Sequence, residues 1–199
     1  MKILIVGGTG TIGKAVVAEL KQRHDVIVAG RNSGDVLVDL TDVDSIKKMY
    51  QDVGMLDAVV AATGKVVFKP LDEMTEEDYL SGLQNKLMGM VSLVTHGLDN
   101  VNPNGSFTLL SGILNRDPIK LGSSAAMING AIDGFVKGAA IEMPRGIRIN
   151  VVSPTVVAEA MDKYAVYFRG FTPVAAAKVA LAFSKSVEGR QTGQIYCVG

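Results

Sequence analysis

The chain has 199 residues, 48% of them hydrophobic, and its 20 basic side chains balance 20 acidic ones. This composition excludes a disordered chain, and it allows one domain with a sizeable core. Zero net charge supplies no field for nucleic acid or an anionic membrane; the single Cys197 rules out an internal disulfide, and no Cys/His cluster has metal-ligand spacing.

The apolar run in MKILIVGG is too short for a secretory leader, and glycine-rich sequence follows it. No segment is long and apolar enough to span a bilayer, so a soluble, cytoplasmic protein is expected. Ile3–Val6 reads as the first strand. Gly7, Gly10 and Gly13 follow directly, with Thr9, Thr11 and Ile12 between them, and the first helix opens there with Ile12, Ala15, Val16 and Leu20 on one stripe. Strand, glycine loop and helix in this order predict a dinucleotide site, in which backbone approaches pyrophosphate and the helix N-terminus offers free N–H groups; the alternative is a bare structural turn. His24 ends this helix, where a cation suits the dipole.

Val26–Ala29 is the second strand, followed by Arg31, Asn32 and Ser33. A carboxylate here would bind a ribose 2′-hydroxyl, whereas Arg31 suits a 2′-phosphate, so NADP(H) is the expected cofactor. The alternative for Arg31 is a solvated surface arginine. Asp39 follows the third strand, Val36–Val38. It could accept from the adenine amino group or cap the next helix. That helix carries Ile46, Met49, Tyr50 and Val53 and ends at Gly54.

Asp57–Ala62 is the fourth strand, and Thr75–Asp78 is a capping box with Asp in place of Glu. Leu87, Val91, Val94 and Leu98 form the next stripe, and Asn-Pro-Asn-Gly then turns the chain into a strand at Phe107–Leu110. Ile128, Ile132, Phe135 and Ala139 line a long helix; Ile147–Val152 and Ile195–Val198 are the last strands. Alternating, nearly all-apolar strands and amphipathic helices predict one α/β domain over residues 1–199, a Rossmann-like doubly wound parallel sheet of about seven strands with helices on both faces.

With the glycine loop, VDLTD at Val38–Asp42, AATG at Ala61–Gly64, GSFTLLSG at Gly105–Gly112, RINVVSPTVV at Arg148–Val157 and TGQIYCVG at Thr192–Gly199, the chain resembles the short-chain dehydrogenase/reductase family over nearly its whole length. The resemblance implies cofactor across the carboxyl ends of the strands, with Ala61, Ala62 and Gly64 beside it and Pro154 and Val157 over the nicotinamide. It also implies a homodimer or homotetramer built on the two central helices.

The resemblance further implies a catalytic Ser, a Tyr-x-x-x-Lys pair and an Asn one helix earlier. This chain departs from that set. Anchored on Ala139–Glu142, the Tyr place holds Ala125 and the Lys place holds Asn129; the usual serine place holds Gly112 after Ser111. Counted back from Gly89, the Asn place holds Lys86. Lys therefore stands where Asn belongs, and Asn where Lys belongs. Lys86, Ser111 and Asn129 are the candidate catalytic set, with Lys86 stabilising charge on a substrate oxygen or donating a proton; the alternative is a solvated helix lysine. Ser123 and Ser124 are candidate helix caps, Arg116 and Lys120 candidate contacts for an acidic substrate, and Tyr164 and Tyr167 belong to an expected substrate lid.

Two functions follow. One is an NADP(H)-dependent reductase with a rearranged active site, taking a small carbonyl-like substrate because the lid is short and the chain stops just after its last strand. The other is a non-catalytic NADP(H) sensor that has lost its proton donor.

Overall fold

The computed structural model describes all residues from 1 to 199. Seven parallel strands form one sheet in the order β3-β2-β1-β4-β5-β6-β7. They are β1 (Lys2–Val6), β2 (Asp25–Gly30), β3 (Val36–Leu37), β4 (Leu56–Ala61), β5 (Val101–Leu110), β6 (Arg148–Pro154) and β7 (Ile195–Val198). The helices are α1 (Thr11–Leu20), α2 (Val43–Val53), α3 (Glu76–Gly82), α4 (Gly89–Gly97), α5 (Ser123–Ala140), α6 (Met161–Tyr164) and α7 (Ala176–Glu188). Helices α1 and α7 pack together on one face of the sheet, and α2 packs against α4 on the other, where α5 also lies. The expected α/β architecture is what the chain adopts, and no helix is long and apolar enough to cross a membrane.

Strand order reverses at β1, which pairs with β2 on one side and β4 on the other. In an open parallel sheet the crevice outside the strand ends lies at such a reversal. Ile3, Leu4 and Ile5 of β1 are fully buried, as are Ala58, Val59 and Val60 of β4. Both strands are covered on both faces, which explains their unbroken apolar runs.

Local signals are met at several helix ends. Asp78 completes the capping box with Thr75. Gly54 closes α2 with a φ of 68°, a conformation glycine adopts without a Cβ clash. The cap of α2 is Asp42, which accepts from the Asp44 N–H at 2.9 Å, so Asp39 is left for other work. Ser123 and Ser124 do not cap α5, whose cap is Gly122.

Two expectations on the central elements are corrected. The Asn-Pro-Asn-Gly stretch does not precede β5 but bulges within it: pairing jumps from Leu56–Val101 to Ala58–Ser106, with Asn104 at a φ of 64°. Asn102 holds the bulge by donating to Asp57 at 2.8 Å. The stripe on α4 is also rotated. Gly89, Met90, Leu93, Val94 and Gly97 are its buried residues, while Leu87, Val91 and Leu98 are only partly covered. A π-helical stretch, Leu83–Met88, lies just before α4. Its wider turns hold extra residue and rotate everything that follows.

Helix α4 approaches α2 closely. The Tyr50 hydroxyl donates to the Leu93 carbonyl at 2.7 Å, and a Cβ on Gly97 would collide with that hydroxyl and its ring. Gly97→Ala should therefore lower the free energy of unfolding by about 1–3 kcal/mol in urea melts, the ordinary cost of overpacking. Combining it with Tyr50→Phe, which removes the struck oxygen, should cost less than the sum of the two single changes.

Candidate active site

At the loop after β1, Gly7 and Gly13 admit no side chain. Gly7 has a φ of 82°, and a Cβ there would lie 2.7 Å from the Ala62 carbonyl oxygen at the end of β4. A Cβ on Gly13 would strike the Gly7 carbonyl, so α1 starts directly against the loop. The N-cap is Gly10, no side chain bonds the first N–H groups of α1, and the first turn carries no acid. Those N–H groups and the positive end of the helix are free for an anion.

A cleft of about 440 Å³ opens over this loop. It is lined by Gly7, Thr9 and Gly10, by Arg31 and Asp39, and by Ala62, Gly64 and Asn85. A second cavity of about 360 Å³ adjoins it through Ala62 and Gly64, and is walled by Thr11, Ile12, Leu110 and Val157 together with Phe68, Tyr164 and Phe168. Of the expected cofactor residues, Gly13 is buried beneath the loop, and Ala61 and Pro154 are buried inside β4 and β6. Asn32 and Ser33 are exposed on the turn after β2 and line neither cavity. The structure thus gathers the loop, Arg31, Asp39, Ala62, Gly64 and Val157 around one continuous space.

Arg31 donates to Asp39 at 2.7 Å with its own side chain 65% exposed. Asp39 also accepts from the Thr41 N–H and hydroxyl, and these bonds, with the guanidinium, hold its carboxyl below the usual range. A solvated ion pair is worth about 0–1 kcal/mol, so Arg31 is cheaply released to a stronger anion. A dinucleotide with an extra phosphate fits this cradle on its donor chemistry: free N–H groups at one end, a releasable guanidinium at the other.

Lys86 is not a solvated helix lysine. It sits on the π-helical stretch, 8% exposed, and its ammonium donates to Asn129 Oδ1 at 2.7 Å and to the Ser111 carbonyl at 3.3 Å. Its stem crosses Gly64, where any Cβ would collide with it. Asn129 faces Gly112; a Cβ there would stand 3.0 Å from Asn129 Nδ2. Burial pushes the Lys86 pKa down from 10.5 to about 8, opposed by the charge of Asp133.

Asp133 lies one turn beyond Asn129 on α5 and is itself pushed up by burial. Asn115 donates to one of its oxygens, while the other oxygen and the Ser111 hydroxyl are buried without a hydrogen-bond partner. Lys86, Asn129, Ser111 and Asp133 therefore form one buried polar cluster at the carboxyl end of β5. Sequence reasoning missed Asp133; its spacing of four residues from Asn129 on a helix was the available signal.

The remaining candidates separate. Ala125 is buried in a small apolar cluster with Leu114, Val156 and Phe168. Ser123 is held by the Tyr79 hydroxyl at 2.9 Å. Arg116 is committed to Ser153, donating to its hydroxyl at 2.6 Å and its carbonyl at 3.1 Å, so it does not face a substrate. Lys120 is exposed. The segment expected to be a lid is tied at both ends: Val157 and Val174 form a bridge, and Glu159 accepts from the Ala176 N–H at the start of α7. Tyr164 faces the second cavity, and Tyr167 lies further out.

Comparison with known proteins agrees with this geometry. The family profile described as enoyl-(acyl carrier protein) reductase matches residues 8–194. A hydroxynaphthalene reductase-like protein Arp2 from Metarhizium guizhouense is 27% identical over 77% of this chain and 67% of its own length. Human L-xylulose reductase is 26% identical over 81% of this chain and 74% of its own. The crystal structure of the protein lin1944 from Listeria innocua is 56% identical and covers 100% of both chains with a TM-score of 0.99. A small-chain dehydrogenase solved in complex with NADPH is 26% identical, covering 100% of this chain and 96% of its own, with a TM-score of 0.89. The glycine loop at the sheet's reversal, the seven parallel strands and these relatives together place the chain in the short-chain dehydrogenase/reductase family.

Proposed function

We propose that the protein is an NADP(H)-dependent reductase of a small carbonyl-like substrate, with Lys86 in the role of charge stabiliser and proton donor. The observation that carries this reading is the Lys86 ammonium, buried against Asn129 and the Ser111 carbonyl at the end of β5. A buried cation is costly unless it is used or paired. Reductase relatives and the NADPH-bound neighbour support the same reading.

The chain's own groups divide the work. N–H groups at the start of α1, with Gly7, Thr9, Gly10, Thr11 and Ile12, hold the pyrophosphate. Arg31 leaves Asp39 to take the 2′-phosphate in a charge-assisted contact, and Asp39 is left to accept from the adenine. The backbone of Val157 and the apolar residues about it exclude water from the nicotinamide end. When bound, NADPH supplies the hydride. Lys86 presents an ammonium to the oxygen that gains charge, and its lowered pKa makes the proton transferable near neutral pH. Asn129 orients that ammonium, and Ser111 and Asp133 set its field. The acting unit is a cytoplasmic homodimer or homotetramer. The apolar groove between α4 and α5, where Leu98, Phe135 and Ala139 stay partly exposed, supports that assembly.

A second reading rests on Ala125, which has no proton to give and is packed by Leu114, Val156 and Phe168. On that reading the protein binds NADP(H) and signals its redox state without turnover. NADPH oxidation measured against aldehydes, ketones and quinones separates the two, since tight binding with no turnover on any of them would leave the sensor.

Arg31→Ala should raise the Kd for NADPH roughly 10- to 100-fold in calorimetry and leave that for NADH nearly unchanged. Lys86→Ala should lower kcat for reduction roughly 10²- to 10³-fold with the NADPH Kd preserved; unchanged turnover would remove Lys86 from the mechanism. Reduction by the wild-type protein should fall as pH rises through about 8, where Lys86 loses its proton. The same group acts on stability. Between pH 8 and 10.5 the unfolded chain keeps a proton on Lys86 that the folded chain has released. This contribution therefore favours folding increasingly as pH rises across that window. Lys86→Met should abolish that rise in urea midpoints taken at pH 7.5 and 10.

A further inference from the structure

The second cavity has a distinct chemical character beyond its place at the end of the sheet. Its inner wall is aromatic and aliphatic: Phe68, Tyr164 and Phe168 stand with Leu110, Val156 and Val157. The rings form a connected set, with Phe68 and Tyr164 centroids 6.1 Å apart and Tyr164 and Phe168 meeting edge to face at 6.3 Å. Such a wall favours a flat, conjugated ligand that can meet ring faces and edges.

A neighbouring cavity of about 430 Å³, which shares Gly64, Phe68 and Tyr164 with the second and serves here as its mouth, is lined by Lys65, Lys163 and Tyr167. No carboxylate lines the cavity or its mouth. Neither lysine is in an ion pair, whereas Lys69, just along the chain, is held by Asp78 at 2.8 Å. Lys163 lies 5.2 Å over the Tyr164 ring, which carries its charge to the cavity's edge. The acids nearest Lys163 in sequence do not answer it: Glu159 is engaged with Ala176 N–H, and Asp162 lines neither space. Two unpaired cations at the rim of an apolar slot attract and orient an anion while the slot takes the uncharged part.

We propose that Lys65 and Lys163 select the substrate, which is a planar, conjugated carbonyl compound bearing a carboxylate, its ring against Phe68, Tyr164 and Phe168 and its anionic end at the mouth. This rests on the reductase reading for turnover, but not for binding. With the anionic end at the lysines and the ring against the aromatic wall, the carbonyl belongs at the far end of the ligand, so a para arrangement on one ring is the form to test.

The test compares 4-formylbenzoate with its methyl ester, which keeps the shape and removes the charge. Calorimetry on the NADP-loaded full-length protein and NADPH oxidation at low ionic strength should each favour the acid about tenfold, a figure in the range expected for two solvated ion pairs. The preference should shrink in 0.5 M NaCl and fall toward one in the Lys65→Gln/Lys163→Gln variant. Lys163→Gln alone should lose part of it, which matters because Lys65 also borders the cofactor cleft. Equal affinity for acid and ester, or a preference that survives in the double variant, overturns the proposal. So does a Lys65→Gln variant that weakens only NADPH binding together with a Lys163→Gln variant that keeps the full preference for the acid. Lysine-dependent binding of the acid without turnover upholds this proposal and sinks the reductase; turnover of both aldehydes at equal rates does the reverse.

Discussion

At the carboxyl ends of β1 and β4 two backbones come so close that a single Cβ on Gly7 would lie 2.7 Å from the Ala62 carbonyl. That close approach organises the site. It lets α1 start immediately over the loop, keeps its first N–H groups open, and brings the end of β4 against the same cleft. Gly64 continues the requirement, since its bare Cα is what the Lys86 stem crosses. Cofactor cradle and buried lysine thus depend on the same absence of side chains along one edge of the sheet.

The exchange of Lys and Asn between the two central helices has a physical logic. A cation at position 86 and an amide at 129 meet at 2.7 Å, the same pair of chemistries brought to one place from swapped elements. Gly112 gives Asn129 the room it needs, and Ala125 leaves a space that Phe168 of the lid helps to fill. Three of the four departures, Lys86, Asn129 and Gly112, therefore meet in space, while Ala125 joins a separate apolar cluster. Burial lowers the ammonium's pKa to about 8, which on the proposed reading supplies a proton donor near neutrality without a phenol. The cost is a cation held out of water, which is tolerable where function uses it.

Much of the architecture was legible in the residues. All seven strands showed as apolar runs, and Gly54 and the Thr75–Asp78 box marked helix ends through local chemistry alone. What failed to show were features that depend on more than one element. The π-helical stretch rotated α4 away from its anticipated face, and Asp57 drew Asn102 into a bulge inside β5. Asp39 resembled a helix cap, but Asp42 holds that place and Asp39 is paired with Arg31. Arg116, an apparent loop cation, is tied to Ser153 on a neighbouring strand.

The sequence by itself determined the fold class, the phosphate-binding turn and the identity of the residues that depart from the family's catalytic set. The first two rest on short-range rules, apolar periodicity, glycine spacing and strand–loop–helix order, and the third on the family resemblance. Tertiary structure alone decided whether Lys86 was a surface charge or a buried one, because its environment comes from residues as far as 43 positions away in Asn129. The same holds for Asp133 and for the lysines at the cavity mouth. Side-chain chemistry is written locally, but the desolvation and the neighbouring charges that give it a function are supplied only when distant segments pack.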